Sequence, residues 1–158
     1  MNENMKLFSK QDLIIRCDKK TYVEVLEYAA DYLKEKGYVK DTFKEAILKR
    51  EEDFPTGLEF KDSDFNVAIP HTFPAHIIVP GVLIIKTETP VKAIQMGTIE
   101  DVVMNIRYIF MLLLEGKSDS HLAMLQSLIE FFQNSEAMKG LGKADTPDEI
   151  YTALERYF

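Results

Sequence analysis

Apolar residues in the first third of the chain recur every three or four positions. Tyr22, Val25, Leu26, Ala29 and Leu33 share one side of a 3.6-residue period, which predicts a helix with one buried stripe. Asp18 precedes it as a candidate N-cap, and Gly37, after Lys34, Glu35 and Lys36, is a natural stop. A second helix is expected to open at Asp41-Thr42, with Phe43, Ala46, Ile47 and Arg50 on related turns. It must close before Pro55, because the residue ahead of a proline disfavours helical backbone. Leu13-Ile14-Ile15, ahead of both helices, has the length of a short strand.

The middle of the chain changes period. Val67-Ala68-Ile69, Gly81–Ile85 and Tyr108–Leu114 are short runs of β-branched, aromatic and other apolar residues, bounded by proline, glycine or polar groups. They predict strands, most of them buried on both faces. A further short strand is expected over Val91–Ile94, after a turn at Glu88-Thr89-Pro90. Helical spacing returns at Ser120, where Leu122, Leu125, Leu128, Ile129 and Phe132 would line one face. Thr146-Pro147-Asp148-Glu149 supplies a capping threonine, a proline at the first helical position and a glutamate three residues after the cap. That signature predicts a last helix running to about Arg156. Helices on both sides of a run of strands make an α/β domain whose helices cover the sheet. No repeat, low-complexity tract or linker divides residues 1–158, so a single domain is expected.

Composition narrows the possible activities. A chain of 158 residues buries roughly 70% of its unfolded surface, enough for a core without staples. An apolar fraction of 46% with 28% charged residues excludes a disordered or collagen-like chain. Nineteen Lys and Arg stand against 26 Asp and Glu, a formal net charge of −7, which disfavours nonspecific nucleic-acid binding. The longest apolar run, Tyr108–Leu114, falls far short of the roughly 20 residues needed to cross a bilayer. Direct membrane insertion is not expected, and with no secretory leader at Met1–Gln11 the expected location is cytoplasmic. Cys17, the single cysteine, can form neither an internal disulfide nor a Cys-rich zinc site.

Chemistry concentrates at the histidines. In Ala68-Ile69-Pro70-His71 an apolar strand runs into a proline that fixes the backbone, and an imidazole follows on rigid support. Ordinary loop histidines, which are commoner, carry the same local pattern. His121 opens the Leu122–Phe132 helix after Asp119 and Ser120, where free N–H groups and the positive end of the macrodipole suit a phosphoryl group. A first-turn surface residue would look the same. His76 lies five residues past His71 beyond Pro74, a spacing that makes no metal pair, and no carboxylate cluster adds ligands. A supporting or partner-contacting role competes there with plain exposure.

Arg50, at a helix end, offers a guanidinium fork for phosphate oxygens or merely complements the macrodipole. Asp62 and Asp64 sit in an irregular polar stretch suited to turns. Cys17 reads as structural, and Met104, Met111 and Met124 as core. No metal site and no organic cofactor is indicated.

Taken in order, these segments form a larger pattern. Arg50-Glu51-Glu52-Asp53-Phe54-Pro55-Thr56-Gly57-Leu58 is followed by Val67-Ala68-Ile69-Pro70-His71-Thr72, then Pro90-Val91 with Met96-Gly97, then His121-Leu122 with Leu125 and Leu128. Across nearly its whole length the chain resembles the fructose/mannitol-type enzyme IIA domain of the bacterial phosphoenolpyruvate-dependent sugar phosphotransferase system. The Phe-Pro-Thr-Gly-Leu segment, the His71–His76 spacing, the Met-Gly pair and Asn66 in place of the usual glycine most resemble the galactitol-type branch.

The resemblance implies an α/β sandwich with a mixed central sheet flanked by helices. It implies a cytoplasmic phosphocarrier that takes a phosphoryl group from HPr onto a histidine and passes it to a cysteine of enzyme IIB. The sugar or polyol then enters through the membrane enzyme IIC. His71 matches the phosphorylated histidine, His121 the second active-site histidine, and Arg50 the arginine of the family's Arg-Glu motif. Thr56 occupies a polar motif position, and His76 is a further supporting candidate.

The chemistry agrees with this expectation. A neutral imidazole is a competent nucleophile near pH 7, since its reference pKa is about 6.5. Phosphoryl transfer needs in-line positioning and stabilisation of spread charge more than covalent help. By analogy with the family, attachment through Nε2 is expected, with the other ring nitrogen held by a backbone carbonyl. An apolar ring of Phe73, Pro74 and Ile77 around His71 would serve donor and acceptor alike. The rival expectation is a regulatory enzyme IIA homologue that signals by its phosphorylation state through protein binding.

Overall fold

A computed structural model describes residues 13–114, 116 and 118–158, with only the backbone course given for 118–121. Strand β1 (Ile14–Cys17) leads into helices α1 (Tyr22–Glu35) and α2 (Phe43–Asp53). The two-residue strand β2 (Gly57–Leu58), β3 (Asn66–Ala68), β4 (Gly81–Ile94) and β5 (Val103–Leu113) follow. Helices α3 (Ser118–Gln133), α4 (Ser135–Lys143) and α5 (Pro147–Glu155) close the chain. Among the described residues, no helix is long and apolar enough to cross a membrane.

The strands form one mixed sheet in the order β1-β4-β5-β3-β2. β1 runs parallel to β4 and β3 parallel to β5, while β4–β5 and β2–β3 are antiparallel. Because successive side chains of a strand point to opposite faces, the continuous apolar runs supply two cores at once. Val82, Ile84, Tyr108, Phe110 and Leu112 face α3, α4 and α5, where Leu128, Phe132, Leu141, Ile150 and Leu154 meet them. Leu83, Ile85, Ile109, Met111 and Leu113 face α1 and α2, against Val25, Leu26, Leu33, Phe43 and Ile47. The result is the α/β sandwich with a mixed central sheet that the resemblance implies.

Several local expectations shift. Thr21, not Asp18, caps α1: its hydroxyl accepts from the Glu24 N–H at 3.2 Å and donates to the Glu24 carboxylate at 2.8 Å. Gly37 stops the helix at a φ of 83°, where a side chain would be strained. The expected break at Glu88-Thr89-Pro90 is not a turn between strands, because β4 runs through it with an irregularity between Lys86 and Val91. Pro90 is tolerated there because β1 pairs only up to Thr87, leaving an edge where no N–H is required.

On α3, Leu122 is 59% exposed, and Met124, Leu128, Phe131 and Phe132 form the buried stripe instead. Helix α4 had no counterpart in the periodicity. It is nine residues long, includes Gly140 and Gly142, and is capped by Asn134 through two backbone N–H groups at 3.1 Å. Met104, Met111, Met124 and Cys17 are buried as expected.

One buried cation joins α4 to the sheet. Lys86 hydrogen-bonds the carbonyls of Ala144 and Gly142 and reaches Asp145 Oδ1 at 3.3 Å. The Tyr108 hydroxyl donates to the Leu141 carbonyl at 2.8 Å. Together they satisfy carbonyls that the end of α4 leaves open.

Candidate functional site

Parallel pairing of β3 with β5 continues past the end of β3 as a single bridge between His71 and Leu112. The Leu112 N–H donates to the Pro70 carbonyl at 2.9 Å, so the residue ahead of the imidazole is fixed to the central strand. The ring folds back on its own segment, and Nδ1 lies 2.9 Å from the Ile69 carbonyl oxygen. A carbonyl can only accept, so in the neutral ring Nδ1 carries the proton and Nε2 keeps its lone pair. His71 itself is half-buried, which leaves one side of the ring open.

Behind this histidine is a closed set of polar groups. Thr56 is buried, and the Ile69 N–H donates to both its hydroxyl oxygen, at 3.2 Å, and its carbonyl, at 3.3 Å. The Thr56 hydroxyl and N–H in turn donate to Glu51 Oε1 at 2.7 Å and 3.2 Å. The Tyr22 hydroxyl, reaching from α1, donates to the same oxygen at 2.6 Å. Glu51 is 7% exposed, and burial pushes its carboxyl pKa up against the lowering effect of these hydrogen bonds. Burial and the neighbouring carboxyl also push the Tyr22 phenol well up, so it stays a donor.

The expected site residues divide accordingly. The structure joins Thr56 to His71 through Ile69, inside the wall of the site and not at its surface. Arg50 occupies the last turn of α2 beside Glu51, with its guanidinium carbon 4.5 Å from the centre of the Phe54 ring. Position 121 lies in the first turn of α3, but the His121 side chain is outside the described residues. His76 has another occupation, since its Nδ1 lies 2.7 Å from the Thr42 hydroxyl. Phe54, Phe73, Ile78 and Val79, within the segments that flank Thr56 and follow His71 in the chain, are exposed. Ile77, expected in an apolar ring, packs into the core against α1 and α2 instead.

Glu51 and Tyr22 were not among the sequence candidates. Phe43, Ile47 and Glu51 fall at four-residue steps, so the spacing did place a carboxylate on the buried face of α2. A cavity of about 310 Å³, lined by residues including Phe65, Lys86, Arg107, Tyr108 and Lys143, sits toward the other end of β5 from Leu112.

Comparison with known proteins agrees with this fold. The structure is similar to mannitol enzyme IIA from Escherichia coli, with a TM-score of 0.69 at 22% identity, covering 90% of this chain and 96% of that one. It is similar to the complex of mannitol enzyme IIA with phosphorylated enzyme IIB from the same organism, with a TM-score of 0.72 at 20% identity, covering 92% and 96%. It is also similar to the nitrogen regulatory protein IIA-Ntr from Neisseria meningitidis, with a TM-score of 0.74 at 21% identity, covering 95% and 97%. A search of curated protein sequences finds no significant match. The profile of the family described as "Phosphoenolpyruvate-dependent sugar phosphotransferase system, EIIA 2" matches residues 6–157, and the chain belongs to that family.

Proposed function

We propose that the protein, as one domain over residues 1–158, carries a phosphoryl group on Nε2 of His71 between the donor HPr and a cysteine of an enzyme IIB. The observation that carries this reading is the 2.9 Å contact between Nδ1 and the Ile69 carbonyl, which fixes which nitrogen can attack. In the first step the Nε2 lone pair bonds to phosphorus, and the bond from phosphorus to the donor breaks with its electron pair leaving on the donor. In the second, the enzyme IIB thiolate attacks, and the P–N pair returns to Nε2. Nδ1 keeps its proton throughout, so the ring leaves as neutral imidazole and needs no external base.

Arg50 and His121 are assigned to the equatorial phosphoryl oxygens, where positive charge and donors stabilise the transition state. No hydrogen bond or ion pair ties the Arg50 guanidinium to another described residue, so it is available for an anion. Thr56 supports the site from behind, and His76 anchors the loop that follows it. Exposed Phe73, Ile78 and Val79 are the apolar contacts offered to HPr and enzyme IIB in turn. The cargo entering through enzyme IIC is a sugar or polyol, of galactitol type on the Phe54-Pro55-Thr56-Gly57-Leu58 segment and Asn66, and the carrier works in the cytoplasm.

Intact mass after incubation with phosphoenolpyruvate, enzyme I and HPr tests the assignment. One acid-labile phosphoryl group is expected on the wild type and none on His71→Ala. Uptake by His71→Ala at the wild-type rate would sink it. A regulatory reading has its own support in the similarity to IIA-Ntr, whose TM-score matches those of the mannitol proteins. Onward transfer to an enzyme IIB separates the two, since the regulatory reading needs none.

A further inference from the structure

Among the described residues, the buried Glu51 Oε2 has no hydrogen-bond partner. Its twin, Oε1, accepts three hydrogen bonds, from Tyr22, the Thr56 hydroxyl and the Thr56 N–H. A buried carboxyl loaded so unevenly costs stability, because one oxygen has given up water for nothing. The loaded oxygen leads somewhere. Thr56 holds the Ile69 N–H, and the carbonyl of the same Ile69 holds Nδ1 of His71. Each link lies within ordinary hydrogen-bond distance.

We propose that Glu51 is a positioning residue for His71: from α2 it fixes Thr56, Thr56 fixes the Ile69 peptide, and that peptide holds the ring in the Nδ1–H form with Nε2 aimed outward. The inference rests on His71 as the phosphoryl acceptor. Glu51 bonds to Tyr22 and Thr56 and not to the imidazole, so it acts through two intermediates. What the arrangement requires is an acceptor at Oε1, not a charge. Glutamine therefore preserves it, with its amide nitrogen in the position of Oε2, whereas leucine keeps the bulk and removes the acceptor. Valine at position 56 keeps the shape and removes the hydroxyl link one step nearer the histidine, leaving the Ile69 N–H only the carbonyl of residue 56.

The test compares Glu51→Leu, Glu51→Gln and Thr56→Val with the wild type by two readouts. The first is the tautomer of the unphosphorylated His71 ring, read from its nitrogen chemical shifts. The second is the rate of phosphoryl acceptance from HPr over a range of donor concentrations. Glu51→Leu and Thr56→Val are expected to mix the tautomers and to slow acceptance by about tenfold with the donor KM unchanged, as for a displaced reacting group. Glu51→Gln is expected to recover the Nδ1–H tautomer and most of the rate.

Folded Glu51→Leu and Thr56→Val proteins with the wild-type tautomer and rate would overturn the proposal. So would a Glu51→Gln variant as impaired as Glu51→Leu. If Glu51→Leu does not fold, Thr56→Val decides alone. A wild type that takes up no phosphate would instead refute the phosphocarrier reading, and the tautomer measurement would still judge the positioning.

Discussion

The Thr42 hydroxyl and His76 Nδ1, 2.7 Å apart, draw each other away from the roles their positions suggest. Thr42 stands at the N-cap of α2 but makes no side-chain capping bond. The pair instead ties the start of α2 to the 3-10 turn at Pro74–His76, alongside the Lys40 N–H, which donates to the His76 carbonyl at 3.0 Å.

This contact makes a prediction about stability. Thr42→Ala and His76→Ala should each cost about 0.5–1.5 kcal/mol, and the double variant should lose less than the sum. Urea denaturation of the four proteins in a thermodynamic cycle measures the coupling. Phosphoryl acceptance by His76→Ala should change only modestly. A large loss of acceptance at unchanged stability would move His76 into the chemistry.

Glu51 gives a pH prediction. Its folded pKa is raised above the ordinary glutamate value, chiefly by burial. Between those two values the native state binds more protons than the unfolded chain, so this group's contribution to stability falls as pH rises through the window. Glu51→Gln lacks the titration. The stability of the variant relative to wild type should therefore improve as pH rises from about 4 to 7, whichever protein is the more stable at the start. Parallel stability curves would contradict the raised value.

Gly57 follows Thr56 and opens β2, and its place is set by space, not by backbone angle. A Cβ there would lie 2.6 Å from the Ile94 carbonyl oxygen and 2.8 Å from Met104 Sδ. The thioether can move, but the carbonyl belongs to β4 and cannot without disturbing the sheet. Gly57→Ala should destabilise the protein by about 1–3 kcal/mol in thermal or urea melts. It should also slow phosphoryl acceptance, because the displaced residue adjoins the threonine that holds Ile69.

How much of this the sequence disclosed depended on the range of the forces involved. Helices α1, α2 and α5 were legible because each has a long apolar period and a strong local stop or cap. His71 was legible because Ile69 and Pro70 fix it locally. Asp18 and Thr21 are both good caps, and the glutamate three residues after Thr21 is the local signal that selects the threonine. Pro90 hid the continuity of β4 because its tolerance depends on where β1 ends, a fact about a neighbouring strand. β2 is two residues long, too short for any alternation to register. The Glu51–Thr56–Ile69 set was partly visible as a carboxylate on an apolar face, but its connection to His71 exists only once the sheet has formed.

Cys17 lies buried in the core beneath α1, and burial and the nearby Asp18 hold its thiol pKa above the usual value despite Lys19. It is therefore a poor nucleophile toward phosphorus and slow to react with alkylating reagents. In a reconstituted relay whose proposed next acceptor is a cysteine, iodoacetamide should silence the acceptor and leave the carrier intact. The phosphoryl group could then be halted on His71 and its lifetime there timed without altering a single residue of this protein.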